Sequence, residues 1–193
     1  MQKLKIGMGG VGRATAYGHI FENRPDTEVV ALCDMNEEVL AKNGADFQLA
    51  DNCLFSNYDD FVNADVDIVV LGTPIPFHAE QTIKALDAGK HVLCEVTAAD
   101  NLKDCERMVE AVRRAKGKFM LAENCNYMQF VIDWDNYIKA GKIGTPLYAE
   151  ADYVHEIRQL VDGKWRANRA PLHYCSHSLG PVLKWMDDYV VRC

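Results

Sequence analysis

No apolar run in this sequence approaches the ~20 residues that a membrane-spanning helix needs. The seven cysteines form no CxxC pair and keep no regular spacing, which is not the pattern of a disulfide framework. Several, Cys33 and Cys94 among them, sit inside apolar runs, where cysteine behaves as a small hydrophobe. Basic residues are in deficit, 21 Lys plus Arg against 28 Asp plus Glu, for a net charge of −7. That balance argues against a general affinity for nucleic acid or an anionic membrane. Low-complexity segments and internal repeats are absent. Met1-Gln2-Lys3-Leu4-Lys5-Ile6 leads straight into a predicted strand and leaves no room for a signal peptide. These absences predict a cytoplasmic, reduced and soluble protein.

What is present is ordinary globular composition, 49% hydrophobic and 25% charged over 193 residues. A chain of that length buries about 70% of its unfolded surface and needs no disulfide or metal staple. The first part alternates strand-like and helix-like segments. Strands are predicted at Lys3–Met8, Glu28–Cys33, Cys53–Phe55, Asp67–Leu71, Lys90–Cys94 and Lys118–Ala122. Helices are predicted at Val11–Phe21, Glu37–Lys42, His78–Ala88 and Leu102–Lys116. Repeated βα units predict an α/β fold with a parallel, doubly wound sheet over residues 1–122. Beyond that point the pattern changes, and residues 123–193 read as the first part of an α+β domain. Helices are predicted there at Phe130–Ala140 and His177–Trp185, with one strand at Leu147–Val154. A lone strand cannot satisfy its backbone, so the second unit reads as incomplete: either the chain is truncated, the favoured reading, or the missing partner comes from another molecule.

Gly7-Met8-Gly9-Gly10-Val11-Gly12 is a GxGxxG directly after a predicted strand and opening a predicted helix. That context turns a weak pattern into a dinucleotide-binding signal. Gly7 is expected to permit the tight turn, Gly9 to let a pyrophosphate approach, and Gly12 to let the helix pack closely on the sheet. The amides of Gly10 and Val11 are expected to face the phosphates. A glycine-rich turn without a ligand is the alternative. Asp34 ends the second strand roughly 20 residues after this loop, where an acid accepts hydrogen bonds from the adenosine ribose. No arginine follows it immediately, which favours NAD over NADP. Capping of the following turn is the other account of Asp34.

A more specific signal is Val66-Asp67-Ile68-Val69-Val70-Leu71-Gly72-Thr73-Pro74, then His78, then Ala85-Leu86-Asp87-Ala88-Gly89-Lys90-His91-Val92-Leu93-Cys94-Glu95. It resembles the glucose–fructose oxidoreductase, inositol dehydrogenase and MocA (Gfo/Idh/MocA) family. The resemblance implies a Rossmann domain, then a domain with a large sheet that often forms dimers or tetramers. It implies a nicotinamide cofactor and a sugar, cyclitol or related hydroxyl as substrate. By the same resemblance, Thr73, Pro74 and His78 line the nicotinamide half of the groove, and Glu95 begins a motif that continues with lysine and proline. Here Val96 and Thr97 stand instead, and valine cannot donate to a reacting oxygen or move its proton. His177 matches the catalytic histidine, with His173 where an aspartate is usual. A satisfied histidine at a helix start is the plainer alternative. A zinc site at His173, Cys175 and His177 is conceivable from residue types, but no metal is expected.

Ala122-Glu123-Asn124-Cys125-Asn126-Tyr127-Met128 and Tyr174-Cys175-Ser176-His177-Ser178-Leu179-Gly180-Pro181-Val182 resemble the branch that contains NAD-dependent glycosidases. Such enzymes oxidise, eliminate, hydrate and re-reduce with no net redox. The resemblance implies His177 and Tyr127 for proton movement, with Glu95 as a further catalytic group and Asn124 near the cofactor. Trp165-Arg166 fits a family position near the sugar, and His173 is a further candidate there. A half-buried tyrosine and surface packing are the plainer accounts of Tyr127 and of Trp165-Arg166. A non-catalytic NAD-binding module is the remaining reading.

Overall fold

The computed structural model describes residues 2–156, Ala167 and residues 174–186. Packing divides the chain into two units, Met1–Ala122 and Glu123–Cys193.

The first unit is built on six parallel strands, β1 (Leu4–Gly9), β2 (Thr27–Cys33), β3 (Leu54–Phe55), β4 (Ile68–Leu71), β5 (His91–Cys94) and β6 (Phe119–Leu121). Their order across the sheet is β3-β2-β1-β4-β5-β6, so the chain reverses its direction of travel between β1 and β4. Helices α1 (Val11–Glu22), α2 (Glu37–Asp46), the short α3 (Tyr58–Phe61), α4 (Ile75–Asp87) and α5 (Leu102–Arg114) form the connections. The strands are apolar on both faces because helices cover both. On β4, Val69 and Leu71 join Phe61, Leu86 and Val92 on one face, while Val70 joins Ile6, Met8 and Leu32 on the other.

Local chemistry sets the helix starts. Asn36, Asn57 and Asn101 each cap a helix through the side-chain oxygen, which satisfies amides that the first turn leaves without partners. Helices α1 and α4 have no side-chain cap. These two follow β1 and β4, the adjacent strands where the order reverses, and α/β sheets bind ligands at that crevice. Helix α4 starts three residues before the expected His78 because Pro76 is tolerated in a first turn.

In the second unit, the 3₁₀ turn Asn124–Tyr127 leads into α6 (Gln129–Lys139), and α7 spans Ser176–Met186. Trp185 joins the two helices by donating its indole N–H to the Val131 carbonyl at 3.2 Å. The expected strand at Leu147–Val154 does not form: the segment is irregular, and Leu147 and Val154 are 91% and 92% exposed. Its alternating pattern is a local signal, whereas a strand exists only where another strand takes up its backbone groups. Among the described residues no helix is long and apolar enough to cross a membrane.

Candidate functional site

In the first unit the site forms where β1 hands over to α1. Gly10 is the N-cap of α1 with φ +74°, a left-handed conformation that suits glycine. It is also held against the end of β4, since a Cβ at Gly10 would lie 2.5 Å from the Thr73 amide nitrogen and 2.6 Å from the Gly72 carbonyl carbon. Two expectations for this loop change. Gly7 lies inside β1 rather than in the turn, and its missing side chain makes room for Phe61, whose ring would come within 2.9 Å of a Cβ there. Gly12 does not serve helix packing, because nothing lies within 4 Å of where its Cβ would be. That open space borders the first turn of α1.

The Gly10 amide is also not free for a phosphate: it donates to the Cys33 carbonyl at 2.8 Å. The donors that precede the first intrahelical bond are those of Val11 and Gly12, and no acidic residue in that turn would repel an anion. Beside it opens a cleft of about 410 Å³ lined by Gly10, Asp34, Met35, Thr73 and Pro74 together with residues of α3 and α4. Both accounts of Asp34 hold at once. Its Oδ1 accepts from the Asn36 amide at 2.9 Å, while Oδ2 has no protein partner among the described residues and the residue lines the cleft. Thr73 donates its hydroxyl to Gln81 Oε1 at 2.6 Å, which holds it at the rim.

His78 departs from expectation. It is 1% exposed, with Nδ1 at 2.7 Å from the Thr97 carbonyl and Nε2 at 2.6 Å from the Thr73 carbonyl. A ring so enclosed does not line the groove, and it ties the Thr73 segment, which does, to the segment at Thr97. Burial holds this imidazole below its ordinary value of 6.5, against the two carbonyls, which favour the charged ring. As pH falls below 6.5 the unfolded chain binds a proton that the folded one resists, so stability is full above that value and declines below it. Thermal unfolding between about pH 7.5 and about pH 5 is expected to show this slope. His78→Gln, which does not titrate, is expected to reduce it.

Glu95 is likewise tied. It is 6% exposed, and its Oε1 accepts from Arg13 Nε at 2.5 Å and from the Tyr17 hydroxyl at 3.0 Å. Burial and the Glu95 charge push the Tyr17 phenol up to about 12, so it remains a donor near neutrality. The carboxylate thus anchors α1 to the end of β5 instead of standing ready to move a proton. The peptide that follows Val96 is cis.

The second unit brings together a different set. His177, in the first turn of α7, is 9% exposed. Its Nδ1 lies 2.6 Å from Oε1 of Glu123, itself 5% exposed. A carboxylate only accepts, so Nδ1 donates its N–H to Glu123. The rings of Tyr153 and Tyr174 pack on the imidazole at centroid distances of 4.6 and 5.0 Å. Sequence reasoning did not single out Glu123, Tyr153 or Tyr174. The first lies 54 positions from the histidine it orients, and no local pattern marks such a pair. Tyr127 does not join the cluster: it is 62% exposed, with the Lys184 ammonium 5.9 Å from its ring. Asn124 is exposed on the 3₁₀ turn. Trp165, Arg166 and His173 lie outside the described residues.

The sequence model of the Gfo/Idh/MocA family, described as an oxidoreductase family with an NAD-binding Rossmann fold, matches residues 4–123. A glycosyl hydrolase family 109 protein of Shewanella pealeana is 30% identical over 97% of this chain and 45% of its own length. The chain therefore spans about half the length of the curated relatives it matches. Scyllo-inositol dehydrogenase from Lactobacillus casei, solved with NAD(H) and scyllo-inositol, superposes with a TM-score of 0.69 at 25% identity, over 74% of this chain and 43% of that one. The WlbA dehydrogenase from Bordetella pertussis, solved with NADH and UDP-GlcNAcA, gives 0.69 at 26% identity, over 75% and 44%.

Proposed function

Because the chain belongs to the Gfo/Idh/MocA family of oxidoreductases with an NAD-binding Rossmann fold, we propose that it takes part in NAD-dependent oxidation at a hydroxyl of a sugar, cyclitol or sugar derivative. The observation that carries this reading is the buried Glu123–His177 pair. The first unit fits the cofactor by its own geometry. It offers the Gly10 cradle, the open space beside Gly12, the uncapped start of α1 and, at the cleft, an Asp34 Oδ2 without a partner among the described residues, which could accept from a ribose. When bound, NAD would supply the acceptor for the hydride that leaves the hydroxyl-bearing carbon. Asp34 holds the adenosine end, and the Glu95–Arg13–Tyr17 cluster keeps the first turn of α1 in place. His177 accepts the hydroxyl proton on Nε2, and Glu123 holds the ring in the tautomer that leaves this nitrogen basic. Tyr153 and Tyr174 flank the ring with hydroxyl-bearing, apolar faces of the kind that sugars stack on.

Asp34→Ala is expected to weaken NAD binding about tenfold, the loss of a hydrogen bond to a charged acceptor, and to narrow the preference over NADP. Isothermal titration of the unsubstituted chain and the variant with each nucleotide measures this. A folded chain that binds neither nucleotide overturns the proposal.

A second reading is a glycosidase that holds NAD and performs no net redox. It is favoured by the likeness to the family 109 protein and by Val96, which leaves that position without a proton donor. The two readings separate in one assay: a dehydrogenase accumulates NADH with a free sugar or cyclitol, whereas a glycosidase releases the aglycone with none.

A further inference from the structure

Glu123, Cys125 and His177 each present one metal-ligating atom, and these atoms lie within 4.8 Å of one another. The set is a built feature of the second unit. Glu123 caps the 3₁₀ turn that carries Cys125, with Oε1 accepting from the Cys125 amide at 3.1 Å. Helix α7 brings His177 down onto that turn because residue 180 is glycine. A Cβ at Gly180 would meet Asn126 Oδ1 at 2.8 Å and Glu123 Cγ at 3.0 Å. All three candidate ligands are buried, at 5%, 5% and 9% exposure.

The independent sign of a ligand is a group of buried oxygens without partners: Glu123 Oε2, Asn126 Oδ1 and Ser176 Oγ. The carboxylate and amide oxygens can only accept, so each awaits a donor or a cation. Leaving a buried carboxylate oxygen unmatched is costly, and native structures rarely do it. The thiol, the imidazole and the unmatched carboxylate oxygen of these three residues make a set rich in electron pairs.

We propose that Glu123, Cys125 and His177 bind a zinc ion or another borderline-soft divalent ion, with water completing its shell. Thiolate and imidazole select this class over magnesium or calcium, which prefer oxygen alone. Charge agrees with the choice. On coordination the Cys125 thiol gives its proton to solvent, and the thiolate and the Glu123 carboxylate together offset the two positive charges of the ion. The buried complex is then neutral, which spares the desolvation of a net charge. Coordination also occupies a nitrogen of His177, so the ion switches off proton transfer by that ring. This consequence rests on the function proposed above, but the binding itself does not.

The test uses the chain freed of metal by a chelator and titrated with cobalt(II) as a spectroscopic stand-in, then with zinc. The expected result is a thiolate-to-cobalt charge-transfer band that saturates at one ion per chain and is displaced by zinc. Cys125→Ser is expected to lose the band and weaken zinc binding about 100-fold or more. Cys105→Ser, at an exposed free cysteine, is expected to keep both. Glu123→Gln preserves shape and removes one charge, so it is read if Cys125→Ser fails to fold, and its zinc affinity is expected to fall as well. Absence of the band, or a band and zinc affinity unchanged in the folded variant, overturns the proposal. NAD titration of the same samples reads the first unit separately, so a missing metal site and a missing cofactor site give different results.

Discussion

Gly10→Ala is expected to destabilise the first unit by roughly 2–5 kcal/mol and to abolish measurable NAD binding. Two effects add. A side chain in the left-handed region at φ +74° costs about 1–2 kcal/mol. A methyl forced to within 2.5 Å of the Thr73 backbone adds an overpacking cost of about 1–3 kcal/mol. The methyl is fixed by its own backbone and meets backbone atoms of Gly72 and Thr73, so no side chain can rotate to relieve it, and the turn has to open. Opening it moves Gly10 away from Thr73, and both residues line the cleft.

Gly12→Ala provides the contrast, since nothing lies within 4 Å of its Cβ position. Alanine is the better helix former by about 1 kcal/mol, so stability is expected to hold or rise. NAD affinity is expected to fall, because the methyl enters the space beside the phosphate-binding turn. Chemical denaturation and NAD titration of both variants separate scaffold from site. Equal loss of stability in the two would show that the open space at Gly12 has been misread.

His177→Ala is expected to lower turnover about 10²–10⁴-fold, the usual contribution of a positioned general base, with NAD affinity unchanged. Partial rescue by added imidazole is expected, because the variant leaves a hole of that shape beside Tyr153 and Tyr174. Glu123→Gln is expected to reduce kcat and leave KM nearly unaltered, since in the proposed reaction Glu123 acts through the ring it bonds and not on the substrate. A His177→Ala variant with full turnover would assign the proton to another group. Tyr153 and Tyr174 would be the next to substitute.

Much of the first unit is legible in the sequence because its signals are local. A glycine loop between an apolar strand and a helix, an acid at the end of the next strand and repeated βα periodicity each lie within a short stretch of chain. The strands and helices of the doubly wound sheet follow from them, because parallel strands buried on both faces read as continuous apolar runs. The Gfo/Idh/MocA resemblance, carried by Thr73-Pro74 and the block ending at Glu95, is local in the same sense.

Tertiary structure decided what each of those residues does. Only the fold shows that Gly7 makes room for Phe61, that the Gly10 amide is spent on Cys33, and that His78 points inward to two carbonyls. It also paired His177 with Glu123 across 54 positions and separated Tyr127 from that pair. Leu147–Val154 shows the same limit from the other side. Alternation along a segment states which faces could be buried, but a strand needs partner backbone, and pairing is a property of the whole chain. The sequence by itself determined the family, the α/β class and the succession of the six parallel strands. Which side chains meet was settled only by packing, because contacts between distant positions leave no periodic trace in the chain.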